Sequence, residues 1–186
     1  MTSNTTSHPG LVLGAIFLAL FGATWLLGWA WQYPDPSMPL ASAIVLCSLG
    51  IVGWAISTFR RRLADYTGGG DPAEKKRIRK ALILINVVQW SSIGLLIVGL
   101  NLAGHIEWIM PGVIFVVGVH FLPMAKVFRY RGYYLTAAAL VIVALAYCAF
   151  GADSQRMTLS LLATGAILWS TAIMLLSQNQ TGPAGL

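Results

Sequence analysis

Apolar residues fill six long, nearly unbroken stretches of this chain, and the polar positions gather between them. The stretches fall at 11–31, 40–59, 81–102, 108–125, 133–151 and 157–177. A hydrocarbon core of roughly 30 Å takes about 20 helical residues to cross, and only helices or closed barrels satisfy their own backbone there. These runs are too long and too continuously apolar for barrel strands, so the pattern predicts an all-α, six-span transmembrane bundle. The connections on one side are short, at 32–39, 103–107 and 152–156, which builds the bundle from three tight hairpins. No connection can bury a core of its own, so residues 1–186 are expected to form a single integral membrane domain.

Composition agrees with the pattern. Hydrophobic residues make up 57% of the chain and charged ones 10%, a balance foreign to a soluble domain. The first stretch has no Lys or Arg before it and ends in Gly28-Trp29-Ala30-Trp31 rather than a small-x-small cleavage site, so it reads as a span and not a leader.

Charge then gives an orientation. Arg60, Arg61, Arg62, Lys75, Lys76, Arg77, Arg79 and Lys80 lie between the second and third stretches, and Lys126, Arg129 and Arg131 between the fourth and fifth. Of the Lys and Arg, only Arg156 falls on the opposite side. By the positive-inside rule both basic links are cytoplasmic, and six spans place both termini there too. The net charge of +6 is thus a topology signal, and nucleic acid is not an expected partner.

The longer basic link has legible local chemistry. The second helix should continue past Arg60 and stop at Gly68-Gly69-Gly70, where glycine accepts a left-handed conformation. Asp71-Pro72-Ala73-Glu74 restarts a helix, with Asp71 as N-cap, Pro72 at the first helical position and Glu74 completing a capping box. The third span therefore begins as a cytoplasmic extension bearing Lys75, Lys76, Arg79 and Lys80. Together with Lys126, Arg129 and Arg131 these side chains can snorkel to anionic lipid headgroups; the alternative is a patch for an acidic partner.

Small residues suggest how the helices pack. Gly10 and Gly14 form a G-x-x-x-G, Ala15 and Ala19 extend a small face on span one, and Ala163, Gly165 and Ala166 do so on span six. They read as bundle contacts, with a seam to a second copy or another membrane protein as the alternative. Trp25, Trp29, Trp31 and Trp108 toward the outer ends, and Tyr130, Tyr133 and Tyr134 at an inner end, read as aromatic belts. Phe59-Arg60-Arg61-Arg62 and Phe128-Arg129-Tyr130-Arg131, with Met38-Pro39 and Met110-Pro111 before them, hint at an internal repeat.

Candidate chemistry rests on the few polar groups at membrane depth, because charge is costly there. No Asp, Glu, Lys or Arg stands mid-span, which argues against an ion-coupled pump. His120 and Asn86 lie at matching depth from Lys126 and Lys80, Gln89 shares a face with Asn86, and Thr136 and Thr171 reach a similar level. These five could form one polar layer in the cytoplasmic half. Pro123 is expected to break the helix beside His120 and free the carbonyl of Val119. The layer reads either as a pocket or as a hydrogen-bond network holding spans three and four together. Scattered histidines and the separated Cys47 and Cys148 predict no metal site, no disulfide, buried thiols and no cofactor.

Over Gly118-Val119-His120-Phe121-Leu122-Pro123-Met124-Ala125-Lys126-Val127-Phe128, followed by Tyr133-Tyr134, the chain resembles a group of uncharacterised small bacterial multi-pass membrane proteins with an H-F-x-P-x-A-x-x-F segment. The resemblance implies an inner-membrane helical bundle, supplies no substrate, and marks His120, Pro123 and Phe128 for testing. The expected role is small-molecule or lipid binding of a permease-like kind. A structural or regulatory protein of a membrane complex is the alternative. A third reading is a membrane enzyme acting on a lipid or quinone, with His120 as base and Arg129 or Arg131 holding a phosphate.

Overall fold

The computed structural model describes residues 9–33, 38–65, 72–150 and 154–178. Among these, all regular structure is helical: α1 (Pro9–Ala30), α2 (Met38–Asp65), α3 (Pro72–Leu102), one 3-10 turn (Ile106–Trp108), α4 (Ile109–Phe128), α5 (Gly132–Phe150) and α6 (Ser154–Gln178). Each of the six α-helices is long and apolar enough to cross a membrane, which is the architecture of a multi-pass membrane protein. α2 continues through Arg60, Arg61 and Arg62 to Asp65, and α3 opens on Pro72, whose missing N–H costs nothing at a first helical position. The glycine stop at 68–70, the Asp71 cap and the tail at 179–186 lie outside the described residues.

The expected break at Pro123 is corrected. α4 keeps its helical pattern through the proline to Phe128. Proline cannot supply the bond back to the carbonyl of Val119, but one missing rung leaves the rest of the ladder standing. The chain reverses six residues later, at Arg129, with φ of 51°. There the Arg129 N–H donates to the carbonyl of Lys126 and the Tyr130 N–H to that of Ala125, the crossed pair that closes many helix ends. Glycine usually occupies this left-handed position, and an L side chain in it costs roughly 1–2 kcal/mol.

The helices pack in the order α2, α1, α6, α5, α4, α3. Those at the two ends of the row are covered on one flank only. Half of the apolar window of α6 is buried (50%), against 22% for α2 and 11% for α3. Small residues decide where helices meet, because lipid supplies no hydrophobic push between them. At the α1–α6 seam a methyl on Gly165 would stand 3.0 Å from the Gly22 carbonyl oxygen and 2.5 Å from Leu26. Gly118 lets α4 close on Leu140 and Val141 of α5, and Gly112 lies under Leu96 of α3.

Directed bonds reinforce the α1–α6 seam. The carbonyl of Ala19 accepts the Trp169 indole N–H at 2.9 Å and the Ser48 hydroxyl at 3.0 Å, tying α6 and α2 to one oxygen of α1. The contacts also sort the helix ends. Gly14, near the start of α1, faces the Tyr133 hydroxyl at the start of α5, and Leu96 lies opposite Gly112 across a short connection. Ile44 clusters with Leu26 and Ala30 where α1 meets α2. The end of α2, the start of α3 and the α4–α5 turn therefore share one end of the bundle, and Arg156 belongs to the other.

Candidate functional site

The five residues expected to form one layer fall into separate groups. Thr136 of α5 and Thr171 of α6 are buried and their hydroxyl oxygens stand 2.8 Å apart. Each hydroxyl also reaches a carbonyl of its own helix, Thr136 that of Gly132 at 3.1 Å and Thr171 that of Ile167 at 2.8 Å, so with one hydrogen apiece either threonine can be the donor across the pair. This pair is satisfied within the bundle and ties α5 to α6. Gln89 is buried on the side of α3 that meets α4. Asn86, one turn earlier, is exposed and spends its amide N–H on its own helix, at the carbonyl of Leu82, 2.9 Å away. The row places α4 and α5 between α3 and α6, so Asn86 and Gln89 do not meet Thr171.

His120 stands apart from both groups in one respect. It is half-buried, and its Nδ1 is buried with no hydrogen-bond partner. The Leu96–Gly112 contact sets the register of α3 against α4, and counting along both helices at about 1.5 Å per residue brings Gln89 level with Val119 and His120. A titratable ring and the carbonyl released by Pro123 on α4, and a buried amide on α3, thus share one level along the bundle. Such a set can donate, accept and exchange a proton with a bound polar group.

The basic residues are placed as surface groups. Lys76, Arg79, Lys80, Lys126, Arg129 and Arg131 are all exposed, and Lys75 lies in the same first turns of α3. At the opposite end His105 Nδ1 and Glu107 Oε1 form an exposed pair at 3.2 Å.

Several belt and thiol expectations are corrected. Tyr133 is buried at the centre of an aromatic cluster with Phe121, Phe128 and Tyr130, ring centroids 5.5, 6.2 and 5.1 Å away. Tyr130 has a buried hydroxyl without a partner, and burial raises its pKa. Trp25 is also buried, whereas Trp31 and Trp108 are exposed as belt residues should be. Cys47 faces outward from α2 instead of inward, and both cysteines are free.

Sequence reasoning passed over Gly22, Ser48, Trp169 and Thr164. Gly22 and Gly165 were readable as small residues, but only register pairs them. Ser160, Thr164 and Thr171 recur at helical spacing on one stripe of α6, a signal that was available. No family model matches the chain, and no match is found among curated proteins or solved structures.

Proposed function

We propose that the protein binds a small molecule or a lipid, in a permease-like role, at His120 on the α3–α4 flank. The observation that carries this reading is the buried, unpartnered Nδ1 of His120. A polar atom buried without a partner costs roughly 1–3 kcal/mol, so its retention at membrane depth favours an external group that supplies the bond. Gln89 at the same level and the freed carbonyl of Val119 would complete a neutral, donor-and-acceptor site. Asn86, Thr136 and Thr171 no longer belong to it, since their hydrogen bonds are already made.

The proposed setting is a bacterial inner membrane, with both termini and the two basic links in the cytoplasm and anionic headgroups against Lys75, Lys76, Arg79, Lys80, Lys126, Arg129 and Arg131. Kinship with small bacterial multi-pass proteins through the His120–Phe128 segment is part of the same proposal. Reporter fusions at each terminus and in the connection at 103–107 test the orientation; an exported terminus would reverse it.

Mass spectrometry of species retained by gently purified wild-type protein, beside a His120→Leu control, tests the site. A defined molecule held by the wild type and lost in the control supports it. The same bulk phospholipid in both, with unchanged thermal stability, removes it.

One observation favours a second reading, a structural or regulatory subunit of a membrane complex. α3 is the least covered helix and turns the polar Asn86 outward. Stoichiometric co-purification of another membrane protein, abolished by charge reversal at Lys75, Lys76, Arg79 and Lys80, would support that role over binding.

A further inference from the structure

Trp25 on α1 and Thr164 on α6 combine burial with an unmet polar atom. Trp25 is 8% exposed and Thr164 0%, and neither the indole Nε1 nor the threonine Oγ1 has a hydrogen-bond partner. The α1–α6 seam sets their relative height. Trp169 reaches the carbonyl of Ala19, and Gly165 lies on Gly22, so the two helices run antiparallel with Gly22 level with Gly165. Counting from there, Trp25 and Thr164 differ in height by only about 3 Å at 1.5 Å per residue. Helical side chains lean toward their own N-terminus, so the long indole reaches back from Trp25 toward the level where Thr164 stands.

Both groups face the same interior. Trp25 packs in the central cluster with Leu161 and Leu168, and Thr164 lies between those two leucines on the α6 stripe, three residues from one and four from the other. Phe21 meets the indole nearly at a right angle, with centroids 6.1 Å apart, and fixes its plane. Ser160, one turn away on α6, already donates its hydroxyl to the carbonyl of Met157 at 2.8 Å and leaves Thr164 without it.

We infer that Trp25 and Thr164 form an interior binding site for one neutral oxygen: a water, or the hydroxyl or carbonyl of a small solute. The oxygen accepts the indole N–H and shares a hydrogen bond with the threonine hydroxyl, which can both donate and accept. Buried polar atoms are regularly satisfied by such a bridge, and leaving both bare would cost the desolvation of each. The ligand is neutral because the buried polar residues of the described bundle are Ser, Thr and Gln, none of which could balance a charge. Trp25 lies in the half of α1 away from the basic end, so this site is independent of the one at His120.

Thermal unfolding in detergent of the wild type, Trp25→Phe, Thr164→Val and the double variant tests the inference. With a bridging oxygen, each single change lowers Tm by about 2–4 °C, and the double variant falls no further than the worse single one. Bare groups give the opposite sign at Thr164. Thr164→Val, which keeps the shape of the side chain, then removes an unmet polar atom and raises Tm, while Trp25→Phe lowers it only by the lost ring volume; the two effects add, and the site is overturned.

Thr164→Ser keeps the hydroxyl and should hold Tm within about 1 °C of wild type. A loss as large as that of Thr164→Val would assign the effect to the methyl group and overturn the site as well. Should Trp25→Phe yield no folded protein, the sign of Thr164→Val against Thr164→Ser decides alone. Native mass spectrometry separates the two sources of the oxygen. A defined mass on the wild type that the double variant lacks names a solute, and equal masses with the coupled Tm loss name water.

Discussion

The α1–α6 seam and the α3–α4 seam join helices of similar length and apolarity, yet they are built differently. At the first, Gly22 and Gly165 bring backbone against backbone, and Trp169 and Ser48 both bond the carbonyl of Ala19. At the second, Gly112 receives only the tip of Leu96, and α3 keeps 11% of its apolar window buried against 50% for α6. Hydrophobicity does not distinguish the two, because lipid is as apolar as leucine. Close approach and directed hydrogen bonds are what remain to hold helices together.

That difference predicts unequal costs for the same substitution. Gly165→Ala drives a methyl to 3.0 Å from the Gly22 carbonyl oxygen, and backbone cannot step aside. Forcing the seam apart should cost about 2–3 kcal/mol, read as a clear fall in detergent Tm. Gly112→Ala meets Leu96 at 2.6 Å, but that contact is the end of a side chain that can rotate. It should cost under about 1 kcal/mol, and equal losses from the two variants would erase the comparison.

Next in size is Trp169→Phe, which keeps the ring over Gly22 and removes the N–H to Ala19. A loss of about 0.6–2 kcal/mol is expected, the range for one interhelical bond in a membrane. Since Ser48 shares the same acceptor, Ser48→Ala in the Trp169→Phe background should be non-additive. Strict additivity would mean that the shared carbonyl is not what couples the three helices.

The six helices and their approximate ends were legible because a bilayer imposes a length and an apolar composition that any reader of the chain can count. Pro72 at the opening of α3 was legible for a local reason, the proline's fit to a first helical turn. What the pattern could not carry was rotation and neighbourhood. Asn86 and Gln89 are three residues apart and read as one face, but α3 is covered along so narrow a stripe that one is buried and the other exposed. Tyr133 and Trp25 stand at depths where a belt residue and a core residue look alike, and only the packing of α5 against α4 and of α1 against α6 separates them. His120 kept its interest in the structure because its depth was read from charge position, whereas depth alone did not show that Thr136 turns to Thr171 on α6 and that α5 stands between Thr171 and α4.

Arg129 sharpens the contrast between turn strain and helix packing. Arg129→Gly relieves a left-handed conformation at a position remote from both seams and should raise stability by about 1 kcal/mol. A rise in Tm together with weaker binding to vesicles containing anionic lipid would show that the arginine is kept for its charge. A fall in Tm would mean the side chain stabilises the α4–α5 turn by more than its backbone costs.

Asn86→Leu is the smallest effect and tests what covers α3. In an isolated bundle Asn86 is exposed and its amide N–H donates to the carbonyl of Leu82 on the same helix, so no interhelical bond is lost. Leucine is also a better helix former, and the expected change is within about 0.5 kcal/mol of zero in detergent. Gln89→Leu, on the covered side, should exceed it, because that side chain lies in the contact with α4. If Asn86→Leu instead lowers stability in bilayers and not in detergent, the outer face of α3 is a packed surface in the membrane. Its sparse burial would then reflect a missing neighbour, and cross-linking at position 86 would show whether that neighbour is a second copy of this chain.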